Sequence, residues 1–156
     1  MDNNHHMTEG VASEEEDKTT DVDQEVEDAR RAFSAQDAEK LRATNLIGAD
    51  LNGRWMAAAN LHKASLYKAD LSETNMYRVN LRKATLDGAQ MCKAQMYGAK
   101  MQYVNLRRAN LYRADLRVAN LREANFYGAD LTEAANLDRA ELPEGWREAL
   151  EAAGLI

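Results

Sequence analysis

Residues 104–123 read VNLRR ANLYR ADLRV ANLRE: four five-residue units, each small, polar, leucine, then two longer side chains. Carrying that frame outward in both directions places a large apolar residue at every fifth position. These are Leu46, Leu51, Met56, Leu61, Leu66, Leu71, Met76, Leu81, Leu86, Met91, Met96, Met101, Leu106, Leu111, Leu116, Leu121, Phe126 and Leu131. All eighteen are apolar, and that regularity decides the fold. A period of five is neither the 3.6 of a helix nor the 2 of a strand. The chain must therefore turn at regular intervals and stack on itself, so that each unit buries its apolar side only against its neighbours.

Call the large apolar residue position i. Two residues earlier stands Ala in thirteen of the eighteen units, the exceptions being Thr44, Arg54, Thr74, Val79 and Val104. Position i−1 is Asn or Asp in twelve units. Inward, outward, inward is the alternation of a short strand, and the next two residues must turn the corner. Gly48, Gly53, Gly88, Gly98 and Gly128 all fall at i+2, where a relaxed backbone helps a turn. The eighteen rungs should form a continuous core, each contributing about 1.5–3 kcal/mol before entropy is subtracted.

On these residues the chain resembles the pentapeptide repeat family. The A(D/N)LXX pattern covers residues 44–133 almost without interruption. The resemblance implies an all-β solenoid: a right-handed quadrilateral β-helix with four pentapeptides per coil. Eighteen units then make four and a half coils, a rod on the order of 20–25 Å long.

Solenoid ends expose core and strand edges, so short α-helical caps are expected at both. The implied organisation is an acidic disordered tail over 1–20, an N-terminal helical cap over 21–41, the β-helix over 42–142 and a capping helix over 143–156. Val22, Val26, Ala29 and Phe33 share one helical face in the second of these. Near the C-terminus the frame slips by one residue, to Ala135-Asn136-Leu137 and Ala140-Glu141-Leu142. Pro143 then opens a helix expected over 144–153, with Trp146, Ala149, Leu150 and Ala153 on one face. That helix is also a candidate homodimer contact, since family members can pair through their C-termini. One unit breaks the rule: Arg54-Trp55-Met56 puts a charge where Ala belongs. A buried, unpaired Arg is costly, so a bulge or lifted corner is expected there.

Chemistry is sparse. His5, His6 and His62 are the histidines and Cys92 the single cysteine, with no metal-ligand spacing among them. No phosphate-binding glycine loop or nucleophile elbow occurs. The evenly spaced Asp50, Asp70 and Asp130 read as a structural requirement of position i−1 rather than as paired catalytic carboxylates. No enzyme, cofactor or metal is expected. No apolar run approaches 18 residues, so no membrane span is expected, and without a basic-then-apolar leader a cytoplasmic location is the default.

The outer surface is where function must lie, because Leu and Ala fill the interior. Net charge is −6, unevenly spread. Residues 1–40 carry thirteen acids and four bases, residues 41–134 eight acids and fourteen bases, and residues 135–156 five acids and two bases. The candidate partner surface comprises Trp55, Lys63, Tyr77, Arg82, Lys83, Tyr97, Arg107, Arg108, Arg113, Arg117 and Arg122. With twenty residues per coil, Tyr77 lies under Tyr97, and His62 and Lys63 under Arg82 and Lys83. The leading expectation is a rigid, non-catalytic scaffold that binds an unidentified protein partner. A second is a basic solenoid that binds nucleic acid or an acidic partner and is masked by the acidic tail. Relatives that protect type II topoisomerases imitate duplex DNA, which requires a negative rod; the net-positive solenoid here departs from that pattern.

Overall fold

The computed structural model describes residues 41–134 and 137–152. Its main body is a stack of single parallel β-bridges, each centred on position i−1 and paired with the residue twenty further on. Four columns of bridges result. Asn45, Ser65, Thr85, Asn105 and Asn125 form face 1, and Asp50, Asp70, Gln90, Asn110 and Asp130 form face 2. Face 3 is Trp55, Asn75, Gln95 and Asp115; face 4 is Asn60, Asn80, Lys100, Asn120 and Glu141. The twenty-residue step gives four pentapeptides per coil, as the resemblance implies.

Backbone hydrogen bonding explains why five residues suffice. In the unit around Leu46, the Leu46 N–H donates to Ser65 O and the Gly48 N–H to Tyr67 O, both in the next coil. The Ala49 N–H closes the corner on Leu46 O, and the Ser65 N–H returns to Thr44 O. Four of the five N–H groups per unit are thereby paired. The fifth, at i+1, is met by the side chain at i−1: Ile47 donates to Asn45 Oδ1 and Tyr112 to Asn110 Oδ1. All twelve Asn and Asp residues at i−1 accept this bond. Position i−1 thus favours a short side chain with an acceptor oxygen, because an unmet amide costs about as much as a lost hydrogen bond.

Each corner is a four-residue turn with positive φ at i+2, the conformation a type II turn requires at its third residue. Glycines occupy some of these sites, Gly88 at φ 69° and Gly98 at φ 64° among them. Fourteen non-glycine residues adopt the same region, including Lys63 at 61°, Tyr103 at 58° and Val118 at 60°. Coil stacking imposes the geometry whatever the residue. Val118 is the most strained of these, being β-branched, since a left-handed residue costs roughly 1–2 kcal/mol. Its side chain is half exposed, so little packing holds it. Val118→Asn is expected to stabilise by about 0.5–1 kcal/mol, raising the thermal midpoint by a few degrees. A midpoint unchanged or lowered in a calorimetric melt would count against strain at this corner.

Inside, the rungs from Met56 to Leu121 are fully buried, with Ala between them. Thr74 takes an Ala site by donating its hydroxyl to Leu71 O. Leu46, Leu51 and Leu131 are only partly buried, each lying at an end of its column among the described residues. Arg54 differs from expectation: no bulge forms. Trp55 still bridges Asn75, and Met56 N–H still reaches Asn75 O. Arg54 lies in the first of the described coils, beside Leu41, Leu46, Leu51 and Met56, and its side chain is exposed.

The C-terminal slip is present. Asn120 bridges Glu141, twenty-one residues on, and Leu137 and Ala140 enter the core. A 3-10 turn, Leu137–Arg139, absorbs the extra residue. Helix α1 follows over Trp146–Ala152, and the Trp146 ring packs 4.8 Å from that of Phe126. The tail over 1–20, all of the 21–41 cap except Leu41, and Ala153 lie outside the described residues, as do the side chains of Ala149 and Leu150.

Candidate binding faces

Residues five apart sit on neighbouring faces and each face repeats every twenty residues, so the basic and aromatic side chains do not form a single surface. Arg107 and Arg108 follow face 1, where the Arg107 guanidinium lies 5.6 Å from the Tyr127 ring centroid and Arg108 meets Asp87 at 3.7 Å. Arg113 follows face 2, pairs with Glu133 at 2.6 Å and lies over Tyr112. Lys93 on the same face pairs with Glu73. Half-exposed pairs of this kind are worth little, and they reduce the cationic surface that a count of charges suggests.

Face 3 brings Trp55, Tyr77, Tyr97 and Arg117 together. The outward column Ala57, Tyr77, Tyr97, Arg117 runs beside the bridge column Trp55, Asn75, Gln95, Asp115, and between them lies a furrow of about 480 Å³. The Tyr77 and Tyr97 rings stack with centroids 5.5 Å apart and planes 7° from parallel. Stacking at coil spacing is favourable for two rings held twenty residues apart. Arg117 closes one end: its guanidinium lies 5.7 Å from the Tyr97 centroid and grips Asp115 through Nη2 at 2.7 Å and Nε at 2.9 Å. These hydrogen bonds hold the Asp115 carboxyl below its usual range and the Arg117 guanidinium above its own. Ala57 leaves the other end open beside Trp55. Neither Ala57 nor Asn75 and Gln95 stood out in the sequence, because each is an ordinary occupant of its position.

Face 4 and its following corner carry a different chemistry. Arg42, His62, Arg82 and Arg122 fall in one column, Lys63 and Lys83 in the next, and Lys100 in the bridge column. His62, Asn80, Arg82 and Lys83 line a shallow concavity of about 250 Å³. Arg122 is paired with Glu141 at 3.3 Å. Among the described residues no carboxylate forms an ion pair with Arg42, Lys63, Arg82 or Lys83. Partial burial, then the charges of Arg42, Lys63, Arg82 and Lys83, hold the His62 imidazole below its ordinary value.

Among the described residues no group of His, Cys, Asp and Glu is placed to hold a metal ion, and no helix is long and apolar enough to cross a membrane. The evenly spaced aspartates are occupied in turns. Asp70 accepts from the Ser72 amide, and Asp130 from the Thr132 hydroxyl and then its amide, which helps hold both carboxyls below their usual range.

The family model for pentapeptide repeats matches in eight copies, over residues 40–76, 74–111, 99–134 and 109–144. No curated protein matches the chain at a significant level. Among solved structures, a pentapeptide repeat protein of the Arabidopsis thaliana thylakoid lumen superposes with a TM-score of 0.69 at 22% identity, covering 78% of this chain and 83% of that one. Rfr23, a pentapeptide repeat protein of the cyanobacterium Cyanothece 51142, superposes with a TM-score of 0.58 at 28% identity, covering 60% of this chain and 63% of that one. The chain therefore spans a little under two thirds of Rfr23's length.

Proposed function

The chain belongs to the pentapeptide repeat family of right-handed β-helix solenoids, and from that premise we propose that it is a rigid, non-catalytic module that recognises a protein partner through its outer faces. The interior favours surface recognition, since the described coils from Met56 to Leu121 are filled by buried Leu, Met and Ala. The observation that carries the reading is the furrow of face 3. Two stacked tyrosines, an indole at one end and an anchored arginine at the other are the residue types that dominate protein interfaces, and the coil stacking fixes them before any partner arrives. Helix α1 supports the reading of residues 143–156 as a cap, its Trp146 ring lying on Phe126; self-association through that helix is a further proposal, checked by sedimentation of the full chain. Topoisomerase protection by DNA mimicry is disfavoured by the excess of bases over acids in residues 41–134.

The test is affinity capture from native extract with the wild-type chain and a Tyr77→Ser/Tyr97→Ser variant. Truncating an interface hot spot costs about 2 kcal/mol, roughly thirtyfold in affinity. A protein retained by the wild type should be lost from the variant while both give the same melting curve. Equal retention by the two proteins, or no specific retention by either, would remove face 3 as the recognition surface.

A further inference from the structure

The cationic corner of face 4 has a counterpart within the same chain. Arg42, Lys63, Arg82 and Lys83 draw together over the first two coils around His62, with no carboxylate among the described residues paired to any of them. The chain enters the solenoid at this same corner: the Ala43 N–H donates to His62 O, so Arg42 stands directly beneath His62. Residues 1–40, which precede it, carry thirteen acids against four bases. Seven of those acids fall between Glu14 and Glu25.

We propose that the acidic segment between Glu14 and Glu25 docks in cis on the cationic corner formed by Arg42, Lys63, Arg82 and Lys83, and thereby competes with acidic peptides for that surface. Reach does not limit this. The sixteen residue steps from Glu25 to Leu41 span at most about 55 Å extended, and would span about 24 Å even if wound as a helix. Four coil steps cover only about 19 Å. Opposite charges brought within a Debye length of about 8 Å at physiological salt attract without needing a fixed geometry. Burial first, and then the charges of Arg42, Lys63, Arg82 and Lys83, hold the His62 imidazole below its ordinary value, and the second of these causes reflects the same gathering of cations. Tethering supplies the rest. At a local concentration on the order of 1 mM, a segment whose intrinsic dissociation constant is about a tenth of that would hold off an outside acidic peptide by about tenfold. Docking in cis stands independently of the partner-binding role; the competition rests on the reading of the solenoid as a binding module.

Two measurements on the full chain separate those statements. The first is zero-length carbodiimide coupling of carboxylates to amines in a mixture of ordinary and isotopically heavy protein, mapped by mass spectrometry. Expected are links from the Glu14–Glu25 window to Lys63 and Lys83, within single copies, and suppressed at high salt. Links spread evenly over Lys63, Lys83, Lys68 and Lys93, or formed only between copies, would overturn docking in cis. The second is titration with fluorescent poly-L-glutamate. Replacing Glu14, Glu15, Glu16, Asp17, Asp21, Asp23 and Glu25 with their amides should tighten binding about tenfold. Adding Arg82→Glu and Lys83→Glu should erase that gain. An unchanged affinity overturns the competition while leaving the cross-linking result to stand alone. A larger gain for a single-stranded oligothymidylate than for polyglutamate overturns the assignment to acidic peptides and makes phosphate the preferred anion.

Discussion

Ala94→Arg is expected to abolish the folded state, although the same side chain is carried without cost two coils away in the same column, at Arg54. Arg54, Thr74, Ala94 and Ala114 occupy equivalent inward positions, twenty residues apart. Ala94 is 0% exposed, with complete coils on both sides. An arginine there must either remain charged in a dry interior, at an effective cost of several kcal/mol, or force neighbouring rungs apart, which typically costs 1–3 kcal/mol more. Their sum reaches the total stability of an ordinary domain, about 5–15 kcal/mol. Arg54 escapes both costs because no further coil lies beneath it among the described residues and its head group reaches solvent past Leu46 and Leu51. Arg54→Ala should therefore shift stability by no more than about 0.5 kcal/mol. Circular dichroism and a thermal melt of the two variants distinguish the cases: no cooperative transition for Ala94→Arg, a near wild-type melt for Arg54→Ala. A cooperative, unshifted melt for Ala94→Arg would mean that position i−2 does not face the core.

The contrast at Arg54 shows where sequence reading runs out. The five-residue period identifies every rung from Leu46 to Leu131, because burial acts on residue type and repeats with the coil. It also identifies the slip at Leu137, because the same small-polar-large pattern returns one residue late. It does not tell an end coil from a middle one, so a charged residue in an Ala site reads as a defect rather than as an exit to solvent. Nor does it reveal the left-handed corners at Lys63, Tyr103 and Val118: glycine marks only some of them, and coil stacking imposes the rest against local preference. The candidate site is legible in part. Tyr77 and Tyr97 are paired by simple addition of twenty, and their rings do stack. The furrow beside them depends on Ala57, whose smallness matters only because Trp55 stands across from it. The partition of Arg107, Arg113 and Lys83 onto separate faces needs the number of units per coil, which a five-residue period alone does not supply.

Leu106→Ala is expected to cost about 2–5 kcal/mol, the range for a buried leucine whose surroundings collapse only partly. Leu106 is 0% exposed and sits between Leu86 below and Phe126 above, in a column continued by Trp146 of helix α1. The Leu106 N–H donates to Asn125 O and its carbonyl accepts the turn bond from Ala109, so the backbone around it is held from two sides. It cannot close over the lost side chain without breaking the register of faces that the bridges at Asn105 and Asn125 define. Collapse is therefore poor and the cost should lie in the upper half of the range. The midpoint should fall by on the order of 15–40 °C, given roughly 4–8 °C per kcal/mol for a body of about this size. Leu131→Ala supplies the internal comparison. That rung is already partly exposed at the end of its column, removes less apolar surface from the core when truncated and should cost about half as much or less. Equal losses at the two positions would show that solenoid ends are as tightly packed as its middle, and an unshifted melt for Leu106→Ala would refute the rung itself.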